Sequence, residues 1–151
     1  MIRPAIWSDI DAMILLLHQL FTLEADFDFN AERQKKGLEL ILAVPSAVVM
    51  VAEEDGKVVG MASAQLVIST AEGGPSLLIE DLVVTPEKQH QGIGSALLVA
   101  LDEWGAGRGT NRMQLLADQG NAPALHFYRH KGWRATQLIC LRKYSNKEIL
   151  Q

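Results

Sequence analysis

One stretch of the chain decides the fold: residues 83–98 read VVTPEKQHQGIGSALL. An apolar strand-like segment gives way to a short polar loop, and a helical pattern starts at the two glycines. Glycine lets the backbone approach a ligand closely, and the first turn of a helix leaves N–H groups unpaired. Those groups and the positive end of the helix dipole suit a phosphate or pyrophosphate. The stretch therefore predicts an anion-binding strand–loop–helix unit; the alternative is a turn that needs glycine only for steric reasons.

Two familiar phosphate-binding loops are excluded by the same residues. The loop lacks the Gly-Lys-Ser/Thr of a P-loop, and QGIG at residues 91–94 lacks the three-glycine dinucleotide pattern. The preceding strand also belongs to a meander and not to a first β-α-β unit. A different kind of phosphate-bearing ligand is therefore expected.

The patterns on either side of this loop predict a mixed α/β fold. Alternating and apolar segments predict strands at residues 1–6, 47–53, 58–69, 76–84, 112–117 and 133–143. Apolar residues spaced by three and four predict helices at residues 10–21, 31–43, 92–107 and 122–131, the second capped by Asn30. This order predicts an antiparallel N-terminal meander followed by β-α-β-α-β units typical of parallel pairing. We expect one domain over residues 1–144 and a short polar tail over 145–151.

Composition and charge narrow the class of protein. Hydrophobic residues make up 48% of the 151 residues, yet no segment supplies the roughly 20 consecutive apolar residues of a membrane span. Asp9 and Asp11 would interrupt the apolar core of a secretory signal. Cys140 is the single cysteine, which excludes an intramolecular disulfide and favours the cytoplasm; its apolar neighbours predict a buried side chain. The net charge of −4 disfavours nucleic acid as a partner.

Charge is unevenly distributed along the chain. Residues 1–30 carry five acidic residues against one base, Arg3, whereas most Lys and Arg residues lie in the second half. Such a division would suit a protein that handles one cationic and one anionic molecule. The alternative is that these charges only solvate the surface.

Two spaced motifs carry a resemblance to a known family. Gln89-x-x-Gly92-x-Gly94 after a strand resembles the coenzyme A motif of the GNAT superfamily of N-acetyltransferases. NAPALHFYRHKGW at residues 121–133 resembles the family's Asn-x-x-Ala-x-x-Phe-Tyr-x-x-x-Gly-Phe segment. The chain departs from the pattern at His90, where many relatives have glycine, and in the single strand that follows the second motif.

The resemblance implies a GNAT-like fold that binds acetyl-CoA as cosubstrate. In such a fold the strand ending at Val84 splays from its neighbour, and its backbone pairs with the pantetheine arm like an added strand. An N–H near Leu82 would stabilise the developing oxyanion. The alternative for Val83 and Val84 is plain strand core, and both can hold together. The implied cofactor-binding residues are Leu82, Val83, Val84, Gln89, His90, Gln91, Gly92, Ile93, Gly94, Ser95, Asn121, Phe127 and Tyr128.

The same resemblance implies the acid and the base. Glu80 interrupts an apolar strand and is the expected base that deprotonates the acceptor amine, acting through water; Asp81 is the substitute. The alternative is that Glu80 simply faces solvent. Tyr128 is the expected acid that protonates the departing thiolate; otherwise it is a packed core tyrosine. No metal site is expected, because His126 and His130, the pair of histidines with i, i+4 spacing on one predicted helix, lack a third ligand.

The connection between the first two predicted helices indicates the kind of acceptor molecule. Acidic and aromatic residues alternate there, and with Asp81 the expected substrate-binding residues are Asp26, Phe27, Asp28 and Phe29. Carboxylates and aromatic rings suit a small cationic amine as acceptor. A protein or peptide amine, a non-catalytic acyl-CoA-binding module, and an ordinary polar loop remain alternatives. A homodimer is a candidate assembly, and other acyl groups are an alternative to acetyl.

Overall fold

The computed structural model describes residues 1–23 and 28–145. Its elements are β1 (Ile2–Pro4), α1 (Ile10–Leu23), α2 (Ala31–Ala43), β2 (Ala47–Glu54), β3 (Lys57–Ser69), β4 (Gly74–Val84), α3 (Ile93–Ala106), β5 (Met113–Leu115) and α4 (Ala122–His130). Two compact units are distinguished, Met1–Leu115 and a second that begins at Leu116. Within the described ranges, no helix is both long enough and apolar enough to cross a membrane.

The first unit is built on one five-stranded sheet. Its strand order is β1-β2-β3-β4-β5, with antiparallel pairing up to β4 and parallel pairing between β4 and β5. The β2–β3 hairpin turns at Asp55 and Gly56, both with positive φ (51° and 76°), as a two-residue primed turn requires. The predicted meander and the predicted mixed α/β class are therefore confirmed.

Helices cover both faces of this sheet. On one face, α1 and α2 pack on the sheet through Met13, Leu17 and Leu38, which join Met61 and Val83 in a buried cluster. On the other face lies α3, whose Leu97 and Leu101 are fully buried. The helices keep their apolar sides inward because apolar residues recur every three or four positions. Asn30 caps α2 as predicted, accepting a hydrogen bond from the Arg33 N–H at 3.1 Å.

The predicted last strand is absent from the structure. Residues 133–143 form no strand, and Leu138, Ile139 and Leu141 are more than 70% exposed. Apolar alternation predicts burial, but a strand exists only where its N–H and C=O groups pair with a neighbouring chain segment. The final β of the predicted β-α-β-α-β series is therefore wrong, and Cys140, predicted to be buried, is exposed.

Close packing of α3 on the sheet gives a stability prediction at Gly105. A Cβ there would lie 2.5 Å from Thr110 Oγ1 and 3.2 Å from Leu77 Cδ2. Gly105→Ala should therefore destabilise the fold by about 1–3 kcal/mol, although alanine favours helices. Gly37→Ala is the matched control, because Gly37 lies in α2 with nothing within 4 Å of its added Cβ. Gly37→Ala should raise the free energy of unfolding, measured by urea unfolding, by about 0.5–1 kcal/mol. Equal effects of the two substitutions would contradict the packing argument.

Candidate active site

Strand β4 loses its parallel neighbour partway along its length. The ladder with β5 covers three pairs, Leu77 with Met113 through Ile79 with Leu115. Over residues 80–84, β4 has no registered β5 partner within the described ranges. Here the strand pairs with β3 alone, so one edge of its backbone is open. This is the splayed strand that the family resemblance implies.

Hydrogen-bond alternation shows which residues face the open edge. Val84 lies opposite Gly60, and the next residue, Thr85, donates its N–H to the Val59 carbonyl at 2.8 Å. Antiparallel strands alternate between bonded and non-bonded pairs, so Val83 bonds toward β3 while Leu82 and Val84 point away. Of the three residues predicted to contact pantetheine through their backbone, Leu82 and Val84 therefore present N–H and C=O groups to the open edge, whereas Val83 does not.

The loop of residues 85–92 places the start of α3 beside the end of this open edge. Gly92 is the N-cap of α3 in the left-handed conformation (φ 85°), and as a glycine it supplies no capping side chain. A Cβ at Gly60, opposite Val84, would lie 3.3 Å from Ile93 Cγ2. The first turn of α3 therefore begins directly over the sheet next to Val84, and its unpaired N–H groups suit a pyrophosphate.

Lys88 and Gln89 tie this loop to the sheet. Lys88 Nζ lies 2.9 Å from Glu54 Oε2 at the end of β2. The Gln89 side chain donates from Nε2 to the Val84 carbonyl at 2.9 Å. That carbonyl accepts a second amide, from Gln19 of α1, also at 2.9 Å. Gln89, predicted as a cofactor contact, thus also holds the loop against the strand.

His90 adopts a backbone conformation that glycine would adopt more easily. Its φ is 63°, and Asp55 is the other non-glycine residue with positive φ in the described part of the chain. This explains why glycine is common here in the family pattern. We expect His90→Gly to be more stable than His90→Ala by about 1 kcal/mol in thermal unfolding, since both lack the imidazole and differ in their tolerance of positive φ. Equal stability of the two variants would show that the loop is unstrained.

A β-bulge places two carboxylates in the middle of the site. Ala62 pairs with Leu82 and Ala64 with Ile79, so Ser63 alone lies opposite both Glu80 and Asp81. The Ser63 hydroxyl donates to Asp81 Oδ2 at 2.8 Å and accepts from the Asp81 N–H at 3.2 Å. The hydroxyl thus fills the gap that a bulge leaves in a ladder. Glu80, by contrast, is exposed.

The pKa of the Asp81 carboxyl group lies above its ordinary value. Burial raises its pKa to about 6, although the Ser63 hydrogen bond lowers it, and the nearby Glu80 charge raises it further. Ser63 shares a face of β3 with Met61, which belongs to the cluster beneath α1 and α2. Asp81 therefore lies on the face of the sheet that α1 and α2 cover. A half-buried carboxylate with a pKa near neutrality can exchange a proton with a ligand.

The described part of the predicted acceptor loop, residues 28–30, contacts α1. Asp28 is exposed, and the Phe29 ring stacks on His18 of α1 at 4.2 Å with an interplanar angle of 22°. One face of the Phe29 ring is therefore already in contact with an aromatic neighbour. Asp26 and Phe27 lie outside the described residues.

The second unit contains three predicted site residues: Asn121, which precedes α4, and Phe127 and Tyr128 on α4. The Asn121 side chain caps this helix by accepting from the Ala124 N–H at 3.2 Å. Phe127 packs edge-on against Tyr128, with ring centroids 5.4 Å apart. The helix ends in a Schellman motif. The Trp133 N–H donates to the Tyr128 carbonyl, and Gly132, which lies between the helix and Trp133, has a positive φ of 91°.

Two residues of the site were not predicted from the sequence. Ser63 and Gln19 lie in ordinary strand and helix patterns, and their partners are 18 and 65 residues away. A serine in the middle of a buried strand is a weak signal of a buried polar partner. No local signal identifies Gln19.

Comparison with known proteins identifies the family. A model described as "Acetyltransferase (GNAT) family" matches residues 14–133. The aminoalkylphosphonate N-acetyltransferase of Salmonella typhimurium is 29% identical over 133 residues, which are 88% of this chain and 84% of that protein. Streptothricin acetyltransferase of Streptomyces lavendulae is 33% identical over 79 residues, 52% of this chain and 40% of that protein. This chain thus matches less than half the length of the streptothricin enzyme.

Solved structures agree on the fold. Aminoglycoside N-acetyltransferase AAC(6')-Iy in complex with CoA superposes with a TM-score of 0.83 at 19% identity, covering 97% of this chain and 95% of that one. The predicted fold class is confirmed by this superposition, and the predicted acyltransferase class is confirmed by the family model. The chain belongs to the acetyltransferase (GNAT) family.

Proposed function

We propose that this chain transfers the acetyl group of acetyl-CoA directly to the primary amine of a small cationic molecule. The observation that carries the proposal is the half-buried Asp81, held by Ser63 beside the open edge of β4. It provides a proton acceptor next to the backbone groups that suit the donor. The named relatives support the acceptor class, because streptothricin and aminoalkylphosphonates are small molecules.

The donor fits the residues that the structure offers. Acetyl-CoA supplies an activated thioester and a good leaving thiolate. The carbonyl of Leu82 and the N–H of Val84 on the open edge would bind the extended arm, and the N–H groups of Gly94 and Ser95 in the first turn of α3 would bind the pyrophosphate. Gly92 presents no side chain there, so the backbone of the loop can approach the ligand closely.

Asp81 and Tyr128 would handle the protons. The acceptor amine must be neutral to attack, and Asp81 is placed to accept its proton, directly or through water. Glu80 is the alternative base, and its exposed carboxylate also attracts a cation. The Leu82 N–H would stabilise negative charge that develops on the carbonyl oxygen. Tyr128 would return a proton to the leaving sulfur.

The acceptor would approach over the face that α1 and α2 cover. Glu80 and Asp81 on β4 would supply negative charge there, and the exposed Asp28 before α2, with Asp26 and Phe27, completes the proposal from sequence. An ammonium group gains from carboxylates that are partly removed from water. A peptide amine is the alternative acceptor, although neither named relative is described as acting on a peptide.

We further propose a cytoplasmic location, on the basis of the single cysteine, and a homodimer as the assembly to test.

Release of free thiol in the presence of different amines tests this function. The panel should contain aminoglycosides, streptothricin, aminoalkylphosphonates, polyamines, and lysine-containing and free N-terminal peptides, with propionyl-CoA as a second donor. We expect thiol release with at least one small cationic amine and little with peptides. Binding of acetyl-CoA without thiol release for any amine would contradict the proposed activity.

A further inference from the structure

The open edge of β4 ends at a carbonyl whose acceptor capacity is already used. The Val84 oxygen accepts the Gln19 amide from α1 and the Gln89 amide from the loop, each at 2.9 Å. A backbone carbonyl has two lone pairs. Both are therefore occupied by side chains of the chain itself, one from a helix and one from the cofactor loop.

We propose that Gln19 is a positioning residue for the acetyl-CoA site. Its amide fixes the junction between β4 and the loop 85–92, which joins the Leu82 edge to the start of α3. A ligand that contacts both needs their spacing to be set before it binds, since ordering a loop on binding costs affinity. The inference rests on the proposed function only for the identity of that ligand.

The other ties of this loop to the sheet do not replace the Gln19 hydrogen bond. The Lys88–Glu54 pair lies at the surface, with each side chain 36% exposed, where ion pairs contribute little. Gln89 and Val84 are five residues apart, so their bond joins the loop only to the end of the strand that directly precedes it. Gln19 is partly buried, and its hydrogen bond joins Val84, the last residue before the loop, to a helix 65 positions earlier that packs against the sheet.

Gln19 also determines what the open edge presents to a ligand. With its carbonyl occupied, Val84 offers only its N–H, whereas Leu82 offers both groups. An extended amide arm that reaches Val84 therefore meets a donor and needs an acceptor of its own at that point. The pattern would change if Gln19 were lost, because one lone pair of the Val84 oxygen would again be open to water or ligand.

The test compares Gln19→Met with Gln34→Met. Both replace a glutamine by an apolar side chain of similar length, and Gln34 serves the start of α2, where its Oε1 accepts from the Asn30 N–H at 2.6 Å. For Gln19→Met we expect the Kd of acetyl-CoA to rise about 3- to 10-fold, the effect of one net hydrogen bond. The kcat at saturating donor should stay within about twofold, because the reacting groups are retained.

A second measurement does not depend on the cofactor. In the ligand-free chain, amide hydrogen exchange over residues 85–92 should accelerate in Gln19→Met and stay unchanged in Gln34→Met. Unchanged exchange and unchanged Kd in Gln19→Met, with only a lower Tm, would overturn the inference. If the unaltered chain bound no acetyl-CoA, the proposed function would fail, and the exchange experiment would still decide whether Gln19 holds the loop.

Discussion

Replacing Asp81 by asparagine is expected to lower kcat/KM by about 10²- to 10⁴-fold, the usual contribution of a positioned base. The same change should make the fold more stable at neutral pH. Asparagine keeps the shape of the side chain and can still bond with Ser63, so the loss would come from the missing proton acceptor. A steady-state assay with the best amine of the panel, combined with thermal unfolding, measures both effects.

The gain in stability follows from the direction of the pKa shift. The folded-state pKa of Asp81 is about 6, against an ordinary value of 3.8. Between these values the folded chain holds a proton that the unfolded chain has released, so stability falls as pH rises through this window. The shift converts to at most about 3 kcal/mol, and partial solvent contact of the side chain reduces this to about 1–2 kcal/mol. Asp81→Asn should therefore stabilise above pH 6 and have little effect below pH 4.

The pH profile separates Asp81 from Glu80 as the base. A base at Asp81 gives kcat/KM an acid limb near pH 6, with activity rising as the carboxyl loses its proton. Ser63→Ala removes a hydrogen bond that lowers this pKa and should move the limb to higher pH. Glu80→Gln removes a charge that raises it and should move the limb to lower pH. Loss of activity in Glu80→Gln with retention in Asp81→Asn would instead make Glu80 the base.

Tyr128→Phe is expected to lower kcat by about 10²-fold, with the Kd of acetyl-CoA changed by less than about twofold. The change removes only the hydroxyl. The ring contacts with Phe127 and Trp133 and the backbone bond from the Trp133 N–H remain, so the end of α4 should keep its structure.

The control for this prediction is the second tyrosine of the chain. Tyr144→Phe removes an equivalent hydroxyl from a side chain that is 40% exposed and belongs to no motif. Its kcat should equal that of the unaltered chain. Full activity of Tyr128→Phe would remove Tyr128 from the chemistry and leave it as a packing residue of α4.

Features with a local cause could be predicted from the sequence. Asn30 caps α2 because its side chain reaches an N–H three residues away, and Asp55-Gly56 turns because both residues tolerate positive φ. The anion loop is local in the same sense, since Gly92 and the first turn of α3 are consecutive. Helix and strand order therefore followed from residue patterns within short windows.

Features that depend on distant partners could not be predicted. Period-2 alternation assigns Glu80 and Asp81 to opposite faces, but it does not reveal the bulge that sets both opposite Ser63. Which carboxylate is half-buried depends on that register. The prediction of a last strand was wrong for a related reason. Its apolar residues 138–141 indicate β structure, but pairing needs a neighbouring strand that the local sequence does not specify.

The short ladder between β4 and β5 also bears on how the protein behaves when its cosubstrate is scarce. An unpaired strand edge is a template for pairing with another polypeptide, and such edges promote aggregation. The two glutamine amides on Val84 cover one acceptor of this edge, and a ligand that binds along Leu82 would cover more. Bound acetyl-CoA would then protect this chain from self-association as well as serve as its acyl source.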